Sequence, residues 1–231
     1  MQKAKYSTLL AMFMLMAGAL SAQKYNQETD DFDPLAPKKD KFGIRVGMTF
    51  STLRSGQLEN TKVTRGYQGA FYYRVNLFKN FHLNPEFGAS IRGARFKNMD
   101  TGYSQISLLY FDFTLLGMID LNSRHDHTII IGTQASRLMR SSLFLGKEPY
   151  PSYLQLPFKW WDYYAVVGYH FNLQYIGFQV CLRYGLRNIA GDFQNYDRKS
   201  QNSGAHFSDV RPSLKGLKDV RNISVDLSLY F

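Results

Sequence analysis

The chain has 231 residues, enough for one domain once a leader is removed. Aromatic residues make up 16% of it, mostly Tyr and Phe, and the formal net charge is +10. A single cysteine, Cys181, excludes an internal disulfide. No run of about 18 or more apolar residues follows the leader, which excludes a transmembrane helix.

Met1 to Ala22 reads as a secretory signal peptide. Lys3 and Lys5 give it a positive start, and Leu9 to Leu20 form an apolar core too short for a permanent span. Ser21 and Ala22 are the small residues expected before a cut at Gln23, and no Cys follows to carry a lipid anchor. Residues 23–40 are polar, contain Pro34 and Pro37, and lack periodicity, so they read as a flexible periplasmic tail.

From Lys41 the hydrophobic period is 2. Phe42, Ile44, Val46, Met48 and Phe50 alternate with Gly43, Arg45, Gly47, Thr49 and Ser51, giving a strand with one apolar and one polar face. The pattern recurs at Tyr67–Leu77, Phe81–Arg92, Leu109–Leu115, Trp161–Phe171, Ile176–Gly185 and Asn222–Phe231. The stretch His127–Arg140 alternates less cleanly and is still read as a strand. Long breaks (Ser55–Arg65, Lys97–Gly102, Ser141–Pro157, Gly191–Lys218) alternate with short ones (Phe78–Asn80, Leu121–Asp126, Asn172–Gln174). That layout predicts an all-β fold: a closed antiparallel up-and-down transmembrane β-barrel of about eight strands. It is placed integrally in the outer membrane, with short turns and both termini in the periplasm.

A soluble ligand-binding barrel also alternates, with its apolar face inward. Here the polar face carries small residues and charges that can pair inside a narrow lumen. They are Arg45, Arg74, Arg92 and Arg183 against Glu86, Asp112, Asp162 and Asp226. No amphipathic helix is predicted to cover the apolar face, so it is assigned to lipid. An unpaired edge cannot sit in hydrocarbon, so the sheet must close. Phe231 ends an aromatic-terminated strand of the kind read by the outer-membrane insertion machinery.

The segments FGIRVGMTFSTL (42–53), LNPEFGASIRG (83–93), YGLRNI (184–189) and VRNISVDLSLYF (220–231) resemble the PorT-like outer-membrane β-barrel proteins of Bacteroidetes. The resemblance spans Lys41 to Phe231. It implies the same barrel and, for part of that family, an accessory role in type IX secretion.

Chemistry is sparse. His206 and Ser208, with Asp209 beside them, loosely resemble a lipid A deacylase motif, which makes a lipid A-modifying hydrolase the alternative function. Their Gly/Ser-rich surroundings favour a solvated loop. His125, Asp126 and His127 lie at a short turn, where adjacent side chains diverge, so no metal site is expected. No catalytic residue and no cofactor is assigned, and nucleic acid is excluded as a partner by the compartment. Trp160, Trp161, Tyr67, Tyr103 and Tyr184 near loops, and Phe42, Phe78, Phe81, Phe171, Tyr175 and Phe231 near turns, fit interfacial girdles. Trp160 could alternatively be a sugar platform.

Basic residues gather on the loop side. Arg95, Lys97, Arg137, Arg140, Lys159 and Arg187 are the candidates for contacts with lipopolysaccharide phosphates. The expected partners are outer-membrane lipids, lipopolysaccharide and an envelope protein of unknown identity. The barrel itself is expected to be a monomer with a structural or interaction role in secretion or envelope assembly.

Overall fold

The structure, a computed structural model, describes residues 41–55, 61–78, 80–98, 102–122, 126–145, 148–149, 158–173, 176–191 and 219–231. The predicted leader and tail lie outside them. Eight long strands form the wall: β1 Lys41–Arg54, β2 Thr64–Phe78, β3 Phe81–Asn98, β4 Gly102–Asp120, β5 His127–Leu145, β6 Trp161–Leu173, β7 Ile176–Gly185 and β8 Arg221–Tyr230. Each pairs antiparallel with the next, and β8 pairs with β1 to close the ring. Two short pieces, Thr61–Lys62 and Glu148–Pro149, extend the ladder beside β3 and β5.

Closure satisfies the backbone without leaving a free edge, which is the condition for crossing hydrocarbon in strands. The ring is staggered. From Leu53 the ladder runs to Asn222, past Gly185 to Tyr164, then through Gln134, Thr114, Glu86 and Tyr72. It returns to β1 at Gly43 and not at Leu53. This displacement is the shear that tilts the strands and sets the width of the interior.

The alternation read from the sequence is the alternation observed. Phe42, Phe71, Phe87, Phe111, Phe113, Tyr163, Val167, Phe178, Val180 and Leu227 are exposed on the outside. Arg45, Gln68, Glu86, Arg92, Asp112, Asp162, Arg183 and Asp226 are buried inside. Among the described residues no helix is long and apolar enough to cross a membrane.

Four expectations need correction. The weak strand at His127–Arg140 runs on to Leu145. Leu109 pairs with Arg140 but Tyr110 pairs with Leu138, so Met139 is an inserted residue, a β-bulge. Beyond it the phase reverses: Met139 and Arg140 are both exposed and Ser141 is buried. A period-2 reading loses the strand at that point. Second, two predicted long breaks are shorter than read, because Asn98 pairs with Gly102 and β5 continues into Ser141–Leu145. Third, the interior is not polar throughout. Leu116, Met118, Ile130, Val166 and Cys181 form a buried apolar cluster with the ring of Tyr164. Fourth, Phe231 is buried, only 7% exposed, and does not belong to an exposed girdle.

The end of the barrel bearing long connections is partly closed from within. Phe158 bridges Ala190, and Lys159 N–H donates to the Ile189 carbonyl at 2.9 Å. Ile189 N–H donates to the Val220 carbonyl, also at 2.9 Å. Phe158, Ile189, Ala190 and Val220 are all buried, as are the inward Leu53, Ile106 and Leu108.

Candidate functional site

Inward phase brings the predicted lumen residues together, because every second residue of all eight strands points into one narrow space. Two hydrogen-bonded clusters result. In the first, Arg45 Nη2 lies 2.8 Å from Glu86 Oε2, and Arg45 Nη1 donates to Ser228 Oγ at 3.2 Å. Glu86 Oε1 accepts from the Tyr230 hydroxyl at 2.5 Å and from Asn84 Nδ2 at 2.9 Å. Gln68 links the pair outward: its Nε2 donates to Ser228 at 3.0 Å, and its Oε1 accepts from Arg183 Nη1 at 3.3 Å. Arg183 in turn pairs with Asp226.

The second cluster centres on Arg92. Its Nη2 donates to Asp112 Oδ2 at 2.8 Å. Ser90 and Ser136 each donate to the same carboxylate at 2.6 Å. The guanidinium carbon of Arg92 lies 4.7 Å from the Tyr164 ring centroid and 5.3 Å from that of Tyr110. Arg92 is thus held by a carboxylate and two aromatic rings at once. A buried charge is costly unless it is paired and hydrogen-bonded, and these three arginines meet that condition.

The other two predicted lumen charges behave differently. Asp162 is fully buried beside Arg92 and Tyr164, and Arg74 is half-buried toward the turn end. Neither forms an ion pair among the described residues.

Sequence reading missed the tyrosines. Tyr110, Tyr164 and Tyr230 are buried in the lumen. The signal is present, since each falls in phase with inward residues (Tyr230 two after Ser228), but period 2 marks polar side chains as inward more readily than tyrosines. A turn-end group was missed as well. His82 Nε2 meets Asp120 Oδ2 at 2.6 Å, and Thr128 Oγ1 donates to Asp120 Oδ1 at 2.7 Å.

At the loop end the outward residues are basic. Arg54, Arg65, Arg95, Arg137, Arg140 and Arg187 are exposed, and Lys159 is half-buried. Arg95 Nη2 donates to Gln105 at 3.3 Å, and Arg221 pairs with Asp219 at 3.3 Å. Two arginines lie on aromatic rings: Arg137 on Trp160 and Arg187 on Tyr163, each 5.9 Å from the centroid. Lys97 sits near the end of β3, opposite Tyr103; its side chain lies outside the described residues, as do Tyr103 and Tyr175 as girdle candidates. So do His206, Ser208 and Asp209, and His125. Of the turn residues, Asp126 N–H donates to Asn122 Oδ1 at 3.0 Å, and the His127 ring is hydrogen-bonded to the Tyr169 hydroxyl.

An apolar exterior around a polar, ion-paired interior defines a membrane-spanning β-barrel of the outer-membrane type. No family model matches the chain, and no curated protein matches it. Among solved structures it is similar to Neisserial surface protein A at 11% identity, covering 84% of this chain and 98% of that one with a TM-score of 0.47. It is also similar to Ail, the attachment invasion locus protein of Yersinia pestis, solved with the heparin analogue sucrose octasulfate. That match has 12% identity, 84% and 98% coverage and a TM-score of 0.44. A third is the outer membrane protein OprG from Pseudomonas aeruginosa, at 13% identity, 86% and 98% coverage and a TM-score of 0.41.

Proposed function

We propose that this chain is an integral outer-membrane barrel that serves as a scaffold or interaction partner in the cell envelope, and is neither a conduit nor an enzyme. The observation that carries this reading is the filled lumen. Arg45 with Glu86, Arg92 with Asp112 and Arg183 with Asp226 cross an interior that a ring of eight strands leaves only wide enough for side chains. A polar network without room for a solute suits a rigid support whose working surface is its exterior and its loops. The sharper form of the role is accessory to protein secretion of the type IX kind or to envelope assembly, exercised by a monomer through an envelope partner.

The basic loop end supports an orientation in which the long connections face the outer leaflet. Arg95, Lys97, Arg137, Arg140, Lys159 and Arg187 would there meet lipopolysaccharide phosphates, with β1 starting and β8 ending on the periplasmic side. Charge-assisted hydrogen bonds are roughly twice as strong as neutral ones, so such contacts would fix depth and tilt.

The test is conductance of the purified barrel in planar bilayers. No steady porin-sized steps are expected; steady steps that persist at constant voltage would overturn the reading.

A further inference from the structure

The loop-end rim is not uniform around the barrel. On the β5–β7 side Arg137 and Arg187 each lie over an aromatic ring, 5.9 Å from its centroid, whereas on the β3 side Arg95 is tied to the amide of Gln105. We infer that this arginine–aromatic face is a binding site for a phosphorylated glycolipid headgroup, with Arg137 and Arg187 taking phosphate and the adjoining indoles taking sugar.

Four backbone constraints build the site. Arg137 and Trp161 are directly opposed across the β5–β6 ladder. Leu138 N–H donates to the Trp160 carbonyl at 2.7 Å, which pins Trp160 beside β5. Leu186 N–H donates to the Tyr163 carbonyl at 2.7 Å, which pins the residue before Arg187 against β6. Asn188 Oδ1, next along the chain, accepts from both Ala190 N–H and Val220 N–H at 2.9 Å. Both arginines therefore leave a fixed backbone, and each guanidinium rests near a ring.

That arrangement matters chemically. A guanidinium held over an aromatic face by cation–π attraction can still turn its N–H edge outward, and that edge matches two phosphate oxygens at once. Pre-positioning lowers the side-chain ordering cost that a free surface arginine meets on binding. Trp160 and Trp161 are 67% and 44% exposed at the same level. Their flat faces fit the C–H face of a pyranose better than the small glycerol headgroup of a phospholipid. The one described exposed acid nearby, Asp219, is engaged by Arg221.

The inference rests on the proposed orientation, because the ligand must lie in the leaflet at the loop end. Binding in detergent does not depend on orientation, so the two can fail separately. The probes are bisphosphorylated lipid A, the same lipid stripped of both phosphates, and phosphatidylglycerol, each titrated into the full barrel and read by native mass spectrometry. Bisphosphorylated lipid A is expected to bind at least about tenfold tighter than either of the others, a difference of roughly 1.4 kcal/mol. Arg137→Gln and Arg187→Gln should each remove most of that preference, and Arg137→Lys, which keeps charge but loses the planar fork, should remove part of it. Trp160→Ala should weaken the glycolipid without changing phosphatidylglycerol. Each variant is first shown to be folded by its heat-shifted mobility on electrophoresis.

Equal affinity for the dephosphorylated lipid, or for phosphatidylglycerol, would overturn the inference. If Arg95→Gln costs as much as Arg137→Gln, the rim binds all round and the site on this face is wrong, while the proposed rim survives. Labelling of a loop-end cysteine in intact cells reads orientation on its own. Failure to label there would overturn the proposed placement whatever the binding result.

Discussion

Arg92 and Asp112 are hydrogen-bond partners at 2.8 Å on adjacent strands, and both are buried. The pair is the centre of one polar cluster, so a single change there leaves the buried partner to bear the full cost of losing its counterpart. Asp112→Ala leaves a buried guanidinium without its counter-charge and should cost about 3–5 kcal/mol of unfolding free energy. Replacing both partners, as in Arg92→Met with Asp112→Leu, should cost clearly less than the sum of the single changes. Urea unfolding in lipid vesicles, arranged as a double-mutant cycle, measures the coupling. Additive losses would mean that the two side chains act independently.

Gly43, buried in the inward phase of β1, and Gly69, in the outward phase of β2, give opposite expectations. A Cβ on Gly43 would come within 2.2 Å of the Phe231 carbonyl oxygen and 2.4 Å of the Tyr72 hydroxyl, at the seam between β1 and β8. Gly69 has no neighbour nearer than the Arg45 carbonyl oxygen at 3.9 Å. Gly43→Ala should therefore destabilise by roughly 1–3 kcal/mol through overpacking. Gly69→Ala should be close to neutral. The folded fraction in graded urea separates the two.

The lipid face should show a depth gradient. Phe113 lies midway along β4, packed 4.8 Å from Phe87 between ring centroids. Phe113→Arg should cost about 2–4 kcal/mol in a bilayer. Phe42, near the turn end, stacks 6.1 Å from Phe71. Phe42→Arg should cost only about 0–1 kcal/mol because the interface is near. Equal costs at the two positions would contradict the assignment of this surface to hydrocarbon.

The Met139 bulge makes a labelling prediction. In a Cys181→Ser background, Arg140→Cys should react with a membrane-impermeant maleimide, whereas Ser141→Cys should be protected inside the barrel. Deleting Met139 should leave both outcomes unchanged, because Leu138 already pairs with Tyr110 and Arg140 with Leu109, so the deletion removes the bulge and keeps the register. Exchanged labelling after the deletion would show that the register slips and that Met139 is not the inserted residue.

Most of the wall was legible because period 2 is a direct image of the pleat. Residues such as Glu86, Asp112 and Asp226 fell into the lumen on phase alone. What was lost has three physical causes. An inserted residue at Met139 breaks the phase locally, so a real strand looks irregular. Aromatic side chains such as Tyr110, Tyr164 and Tyr230 suit either face, since a ring can meet lipid or can stack on Arg92 or donate to Glu86. Pairing partners were the third loss. Four arginines and four acids in one lumen allow many matchings, and only the three-dimensional stagger of the strands decides that Arg45 meets Glu86 while Asp162 forms no ion pair among the described residues.

The β1–β8 seam has a consequence for the order in which the barrel assembles. Every other ladder joins strands adjacent in sequence and can begin as a hairpin, a local event. The seam joins Ile44 to Phe231 through a reciprocal pair of backbone hydrogen bonds at 3.2 and 3.0 Å, across nearly the whole described chain. Contacts of such separation carry a large chain-closure entropy and form late. Until then β1 and β8 are both open edges, able to pair with any other extended strand. Assembly is therefore a race between self-sealing and capture. The Arg45 to Ser228 hydrogen bond, which spans the same two strands from inside the lumen, favours the first outcome by rewarding only the correct register.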